Sequence, residues 1–300
     1  VILEQSDIAD WRKAGRISAE ALEYGLKRIR KGALLLEVCD AVDARILELG
    51  AVPSFPAQIS LDHVAAHYCP EARDVTILDS QVCKLDVGAC VNGAMGDNAA
   101  TVDLTGKHAE LVAAAEKALQ NAIKTVKAGV ALGEIGKVIQ ETTASYGFSP
   151  IRNLSGHGLG RFEIHTRPTV PNFANGDKTQ LQENEVIAIE PFATTGKGVI
   201  YESSGPQVFM QASDRQTRDL SVRQVLDKIR SYGKLPFAKR WLLKDFPEIK
   251  VAIAIRALGQ QGIIQGFPPL IEEARGMVSQ SEKTVLVTKN GCEVLTQMQD

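Results

Sequence analysis

The sequence predicts an α+β fold, a sheet sandwiched by helices and built from two copies of one unit about a pseudo-twofold axis, with a helical insertion at about 212–266. Three observations predict it. First, at a constant offset of 97, twelve residues recur without gaps across about 33 positions, from Ala21/Ala118 to Pro53/Pro150. Helical periodicity explains the apolar pairs, such as Leu35/Leu132, Val38/Ile135 and Val42/Ile139. It does not explain the shared glycine stops, Gly32/Gly129 and Gly50/Gly147, or the proline. Second, Asn92-Gly93 lies between two strand-like runs, and both residues tolerate the positive φ of a tight hairpin turn. Third, residues 212–266 switch to charged helical patterns (222–229, 249–258) before strand-like EKTVLVT (282–288) resumes. Residues 1–300 are therefore expected to form one domain with a cleft where the halves meet. The competing reading is two unrelated helical hairpins.

The elements follow in order. Ser6 is expected to cap a first helix running, with a break near Gly15, to Gly32. A second helix carries Leu35, Val38, Val42, Ile46 and Leu49 on one face and stops at Gly50. Pro53 and Pro56 read as a loop, and ISLDHVAAHY (59–68) as an extended piece. The hairpin continues to about 104. Helix, Gly129, helix, Gly147 and Pro150 then repeat the earlier order. The glycine-, proline- and histidine-rich stretch 153–173 precedes a buried strand, EVIAIEP (185–191). A turn at 194–198 leads to a strand ending near 210, and the chain closes with a final strand and a hairpin return to Leu295.

A net charge of −2 gives no electrostatic footprint for nucleic acid or an anionic membrane. No apolar run approaches the ~18 residues of a membrane span, and no signal-peptide pattern opens the chain. The five cysteines are odd in number and scattered, without C-x-x-C, which predicts a reduced, cytoplasmic protein lacking a cysteine zinc site. SGHGLG is a weak phosphate-loop signal without its strand–loop–helix context.

The chemistry gathers on residues 84–97, KLDVGACVNGAMGD. Folding on Asn92-Gly93 pairs Val91 with Ala94, so Asp86 lies opposite Ala99 and Asp97 two residues along from Ala99. Side chains alternate with period two, so both carboxylates share a face as diagonal neighbours. Carboxylates held that close on an apolar hairpin repel, and a cation between them removes the cost. The plainer reading is a polar hairpin tip, so the case rests on other residues. His157 sits between glycines in SGHGLG, Glu190 ends the apolar run VIAIE, and Glu282 opens the last strand. Singly, these read as a loop histidine, a lysine partner and a strand-flanking charge. Jointly they leave costly acids in β-context to be explained. Carboxylates with an imidazole suit manganese, iron(II), cobalt or zinc better than magnesium or calcium. One divalent ion leaves four carboxylates with two uncompensated charges, whereas two ions neutralise them. Two ions about 3.5–4 Å apart can activate a shared water toward a carbonyl, and a carboxylate can relay its proton.

KLDVGACVNGAMGDNAATV, NLSGHGLGRFEIH, VIAIEPFATTGKG and SQSEKTVLV resemble the signature blocks of methionine aminopeptidases, type 2 (archaeal and eukaryotic) branch, of peptidase family M24. The likeness spans nearly the whole chain. AAHYCP (65–70), PFAKRWL (236–242) and the insertion before the last strand point to the same branch. The resemblance implies the pita-bread fold, whose internal pseudo-twofold symmetry agrees with the repeat. It implies that Asp86, Asp97, His157, Glu190 and Glu282 ligate two divalent ions, with Asp97 and Glu282 bridging, Asp86 on one ion, and His157 with Glu190 on the other. Glu190 would also be the general base and proton shuttle. His67 would lie beside the scissile bond, and His165 would steady the tetrahedral intermediate. Phe55, Phe192 and Phe267 would line the pocket for the methionine side chain, which suits a flexible thioether; core packing is the alternative for Phe55.

Several positions depart from the family pattern. Phe267 stands where tyrosine is expected, Lys283 where histidine is usual, Thr166-Arg167 where small residues are usual, and Cys90 where histidine is frequent. The activity expected is removal of initiator methionine from N-terminal peptides of nascent proteins, with a small uncharged second residue, by a cytoplasmic monomer. Neither a nucleic-acid nor a membrane partner is expected. The alternatives are an X-Pro-type pita-bread peptidase, disfavoured by the early start of the first repeat, and a non-catalytic pita-bread binding protein, disfavoured by the intact ligand set.

Overall fold

The computed structural model describes residues 2–4, 7–203 and 205–298. The first half comprises α1 (Ile8–Leu26), α2 (Leu35–Glu48), β1 (Val52–Leu61), β2 (Val64–Ala66), β3 (Val82–Val91) and β4 (Ala94–Asp103). The second opens with α3 (Ala109–Thr125) and α4 (Leu132–Ser145). It continues through β5 (Ser149–Pro150), β6 (Ser155–Gly160), β7 (Glu163–Pro171), β8 (Val186–Ile189), β9 (Phe192–Thr194), β10 (Ile200–Glu202) and β11 (Val208–Gln211). Next come α5 (Leu220–Arg230), β12 (Phe237–Ala238), α6 (Lys239–Leu242), α7 (Glu248–Gln260) and β13 (Ile264–Phe267). The closing strands are β14 (Leu270–Glu272), β15 (Val278–Gln280), β16 (Lys283–Val287) and β17 (Cys292–Val294).

The offset of 97 is a repeat of backbone geometry. Gly32 and Gly129 have φ of 84° and 85°, and Gly50 and Gly147 have 81° and 82°. Gly32 N–H bonds Leu78 O at 2.7 Å where Gly129 N–H bonds Leu181 O at 2.8 Å, and Leu35 and Leu132 make matching bonds to Thr76 and Thr179. Each half has its own core. Leu35, Val38, Val42 and Ile46 of α2 pack with Ile59 and Leu85, and Leu132, Ile135 and Ile139 of α4 pack with Ile187, Ile189 and Val285. These faces follow the 3.6-residue period of an amphipathic helix. The sheets are β1-β3-β4 in the first half and β17-β16-β8-β6-β7 in the second, with three smaller three-stranded sheets around them.

Three local expectations are corrected. The first helix is unbroken at Gly15 and ends at Leu26. Gly15 marks a close approach instead: a Cβ there would lie 2.4 Å from Leu295 O, and one on Gly96 would lie 2.6 Å from Gly15 Cα. Ser6 lies outside the described residues. Pro53 and Pro56 belong to β1, which tolerates them because it is an edge strand with irregular register at those points. The single strand expected to end near 210 is two, β10 and β11, and residues 212–266 contain strands besides helices, β12 and β13, both paired with β11.

Helices α5 and α7 form a separate hydrophobic cluster around Val225, Leu226, Val251 and Leu258. Arg240 of α6 ties this region to the first half. Its guanidinium donates to Asp40 Oδ1 and Asp43 Oδ2, both at 2.9 Å, and to Cys69 Sγ at 2.7 Å, with 3% of its side chain exposed. Burial raises the Asp43 pKa to about 6 despite the opposing pull of Arg240. Replacing Arg240 by Met leaves Asp43 buried and unpaired, a loss of about 3–5 kcal/mol. Because the folded-state pKa of Asp43 is about 6 with Arg240 in place and higher without it, the deficit should widen as pH rises through and beyond 6. Urea unfolding of both proteins at pH 5 and pH 7.5 measures it, and equal stability of the two proteins at pH 7.5 contradicts it.

Candidate metal centre

The β3–β4 hairpin has the register its turn dictates: Val91 faces Ala94, Asp86 faces Ala99 and Gly88 faces Asp97. Asn92 and Gly93 turn with φ of 51° and 88°. The edge strand β4 meets residues 280–284 in a constant antiparallel register. Glu282 N–H bonds Ala99 O at 2.9 Å. On either side a threonine hydroxyl completes a rung. Thr284 Oγ1 accepts from Asp97 N–H and donates to Asp97 O, each at 2.8 Å, and Thr101 Oγ1 donates to Gln280 O at 2.7 Å and accepts from Gln280 N–H at 2.9 Å. This seam joins the halves and sets Asp97 and Glu282 as diagonal neighbours.

His157 enters from β6 and Glu190 from the end of β8. One ligand atom each from Asp97, His157 and Glu282 lie within 4.8 Å of one another. His157 Nε2 is 3.6 Å from Asp97 Oδ2 and 3.6 Å from Glu190 Oε1. Its Nδ1 lies 3.2 Å from Gly158 O, so the tautomer protonated at Nδ1 turns the Nε2 lone pair toward the carboxylates. Burial lowers the His157 pKa to about 3, so the ring is neutral near pH 7 and these contacts set acceptor against acceptor, not cation against anion.

Burial also raises all four carboxyl groups, and for Asp97, Glu190 and Glu282 repulsion from neighbouring carboxylates adds to it. Asp86 rises to about 7, and Asp97, Glu190 and Glu282 rise well above their usual range. Asp86 Oδ1 and Asp97 Oδ1 have no hydrogen-bond partner. The nearby lysines are engaged elsewhere, Lys283 Nζ with Thr296 O at 2.7 Å and Lys84 Nζ with Asp62 O at 2.9 Å. Crowded acids, orphaned oxygens and an outward lone pair are a donor set that fits divalent cations.

All ten residues singled out in the sequence line one cavity of about 470 Å³. Phe55 and Phe192 are buried in its wall. Phe267 meets the His67 ring edge-on, with centroids 6.1 Å apart. His67 has φ of 66°, an uncommon conformation for a non-glycine residue, and its Nδ1 is unpaired. Burial first, then His165, lowers the His67 pKa to about 4. His165 stands edge-on to His157 at 4.4 Å, and desolvation within the concave wall lowers its pKa.

Among the departures, Thr166 lines the cavity, Arg167 is exposed, Lys283 turns away, and burial pushes the Cys90 thiol to about 11. Three contributors were not singled out in the sequence. Thr284 and Thr101 act through the seam, and Gln280 donates from Nε2 to Glu282 Oε2 at 3.4 Å. For Gln280 the period-two spacing from Glu282 was the available clue.

Residues 9–289 match the model of metallopeptidase family M24. Over 286 residues the chain is 41% identical to a methionine aminopeptidase of Methanocaldococcus jannaschii, covering 95% of this chain and 96% of that one. The crystal structure of a methionine aminopeptidase from Thermotoga maritima is 26% identical, with a TM-score of 0.74 over 99% of each chain. A thermophilic Arx1 structure is 14% identical with a TM-score of 0.86, covering 99% of this chain and 93% of that one, a likeness of fold alone.

Because the carboxyl groups hold protons more tightly than usual, a cation must displace protons as it binds. Calorimetric titration of the chelator-treated protein with Mn²⁺ at pH 6.5, in buffers of different ionisation enthalpy, should give different apparent enthalpies and show net proton release. Equal enthalpies contradict this electrostatic description.

Proposed function

The chain belongs to metallopeptidase family M24, and on that premise we propose that it is a type 2 methionine aminopeptidase that removes the N-terminal methionine of nascent proteins. The observation that carries the reading is the tight group of Asp97, His157 and Glu282 in the wall of a cavity also lined by Asp86, Glu190, His67, His165 and three phenylalanines. Charge argues for two ions of manganese, iron, cobalt or zinc. Four ionised carboxylates with a neutral imidazole are balanced by two divalent cations, whereas one leaves two charges buried and unpaired. Asp97 and Glu282, diagonal neighbours across the seam, would hold both ions, Asp86 one of them, and His157 with Glu190 the other.

When bound, the ions supply Lewis acidity toward water and the scissile carbonyl. Glu190 takes a proton from the attacking water and returns it to the leaving amine, a role that suits a carboxylate with raised proton affinity. His165, kept neutral by its surroundings, donates an N–H to the carbonyl oxygen as negative charge develops there. His67 orients the scissile bond. Phe55, Phe192 and Phe267 receive the methionine side chain, and the substrate carries a small uncharged second residue.

Residues 212–266 act as an insertion subdomain within one metallopeptidase domain; their separate core supports that division. A cytoplasmic monomer without nucleic-acid or membrane partners agrees with five free cysteines and a net charge of −2. Among the described residues no helix is long and apolar enough to cross a membrane.

Hydrolysis of Met-Ala-Ser should stop on chelation and return with Mn²⁺ or Co²⁺. Inactivity with every metal favours a non-catalytic binding protein, and release of X from X-Pro substrates alone favours the X-Pro reading. Asp97→Ala should abolish activity and tight metal binding. His165→Ala should lower the rate by ~10²–10³, the loss of one transition-state donor. Full activity in either variant removes the assigned role.

A further inference from the structure

Gln58 has no part in the chemistry described so far, yet it lines the cavity with 4% of its surface exposed. Its Oε1 has no hydrogen-bond partner. In a regular strand Phe55 and Gln58, three residues apart, would face opposite sides of the sheet. Strand β1 is irregular between them: Phe55 pairs with Gly88 and Gln58 with Asp86, so three steps on β1 match two on β3. That bulge turns both side chains into the cavity. It also places Gln58 directly across from Asp86, whose Oδ1 likewise lacks a partner. With Asp86 given to an ion, Gln58 Oε1 is the desolvated acceptor left beside it, a site for an N–H donor that carries positive or partly positive charge.

We propose that Gln58 Oε1 accepts a hydrogen bond from the free α-amine of the substrate, making Gln58 a specificity-determining residue for unblocked N-termini. The inference rests on the aminopeptidase reading and adds a recognition element supplied by the protein. A free amine offers two or more N–H groups to this acceptor. An acylated N-terminus offers one, with added bulk against the same wall. An amide oxygen recognises the amine without adding a fifth negative charge to an already crowded set of acids.

The test compares L-methioninamide with its des-amino analogue, 4-(methylthio)butanamide, by calorimetry on Mn²⁺-loaded protein. Gln58→Met, nearly isosteric but without the acceptor, should weaken methioninamide about tenfold, the size of one hydrogen bond. Binding of the des-amino analogue and of Mn²⁺ itself should stay within about twofold. Gln58→Glu, which keeps an acceptor, should retain the preference for the amine. Equal weakening of both ligands makes Gln58 a packing residue, and weakened Mn²⁺ binding makes it an ion ligand; either overturns the proposal, as does loss of the amine preference in Gln58→Glu. If the unaltered protein binds no methioninamide, the aminopeptidase reading itself falls.

Discussion

The structure depends on the seam between β4 and residues 280–284. One backbone bond, from Glu282 to Ala99, is flanked by two threonine hydroxyls that each both accept and donate. A threonine can complete such a rung where two strands lie too irregularly for a continuous ladder. The consequence is electrostatic. Two duplicated halves, each with its own hydrophobic core, are held so that acids from both converge where little water reaches them. Unpaired, such a cluster opposes folding, and cation binding relieves that cost.

The sequence revealed the features set by local rules. An Asn-Gly turn fixes hairpin register, so the faces of Asp86 and Asp97 follow from counting. Glycines at helix ends adopt positive φ, so the duplication showed in Gly32/Gly129 and Gly50/Gly147. Features set by long-range packing stayed hidden. Gly15 looks like a helix breaker, yet it is the point where α1 meets Gly96 and Leu295. Pro53 and Pro56 look like a loop, yet they sit in an edge strand whose bulge aims Phe55 and Gln58 together. Thr101 and Thr284 act across the seam through partners about 180 residues away. The roles proposed for His67 and His165 come from the resemblance to the family motifs; composition and spacing do not give them.

The site divides its labour among three parts of the chain. The first half brings Asp86, Asp97 and the bulged β1; the second brings His157, Glu190 and Glu282. The region around α5–α7 adds Pro236 to the cavity wall and anchors itself through Arg240 to Asp40, Asp43 and Cys69. Cys69 follows His67 by two residues, and Asp43 accepts from Ala57 N–H at 2.9 Å, next to Gln58. The same buried guanidinium that secures the α5–α7 region therefore also contacts the segments that carry His67 and, through Asp43, Gln58.

Anomalous diffraction from crystals grown with Mn²⁺ addresses the central claim most directly. The account predicts two peaks about 3.5–4 Å apart, with Asp97 and Glu282 between them, Asp86 beside one, and His157 with Glu190 beside the other. A single fully occupied peak, or ions bound away from these five side chains, contradicts it.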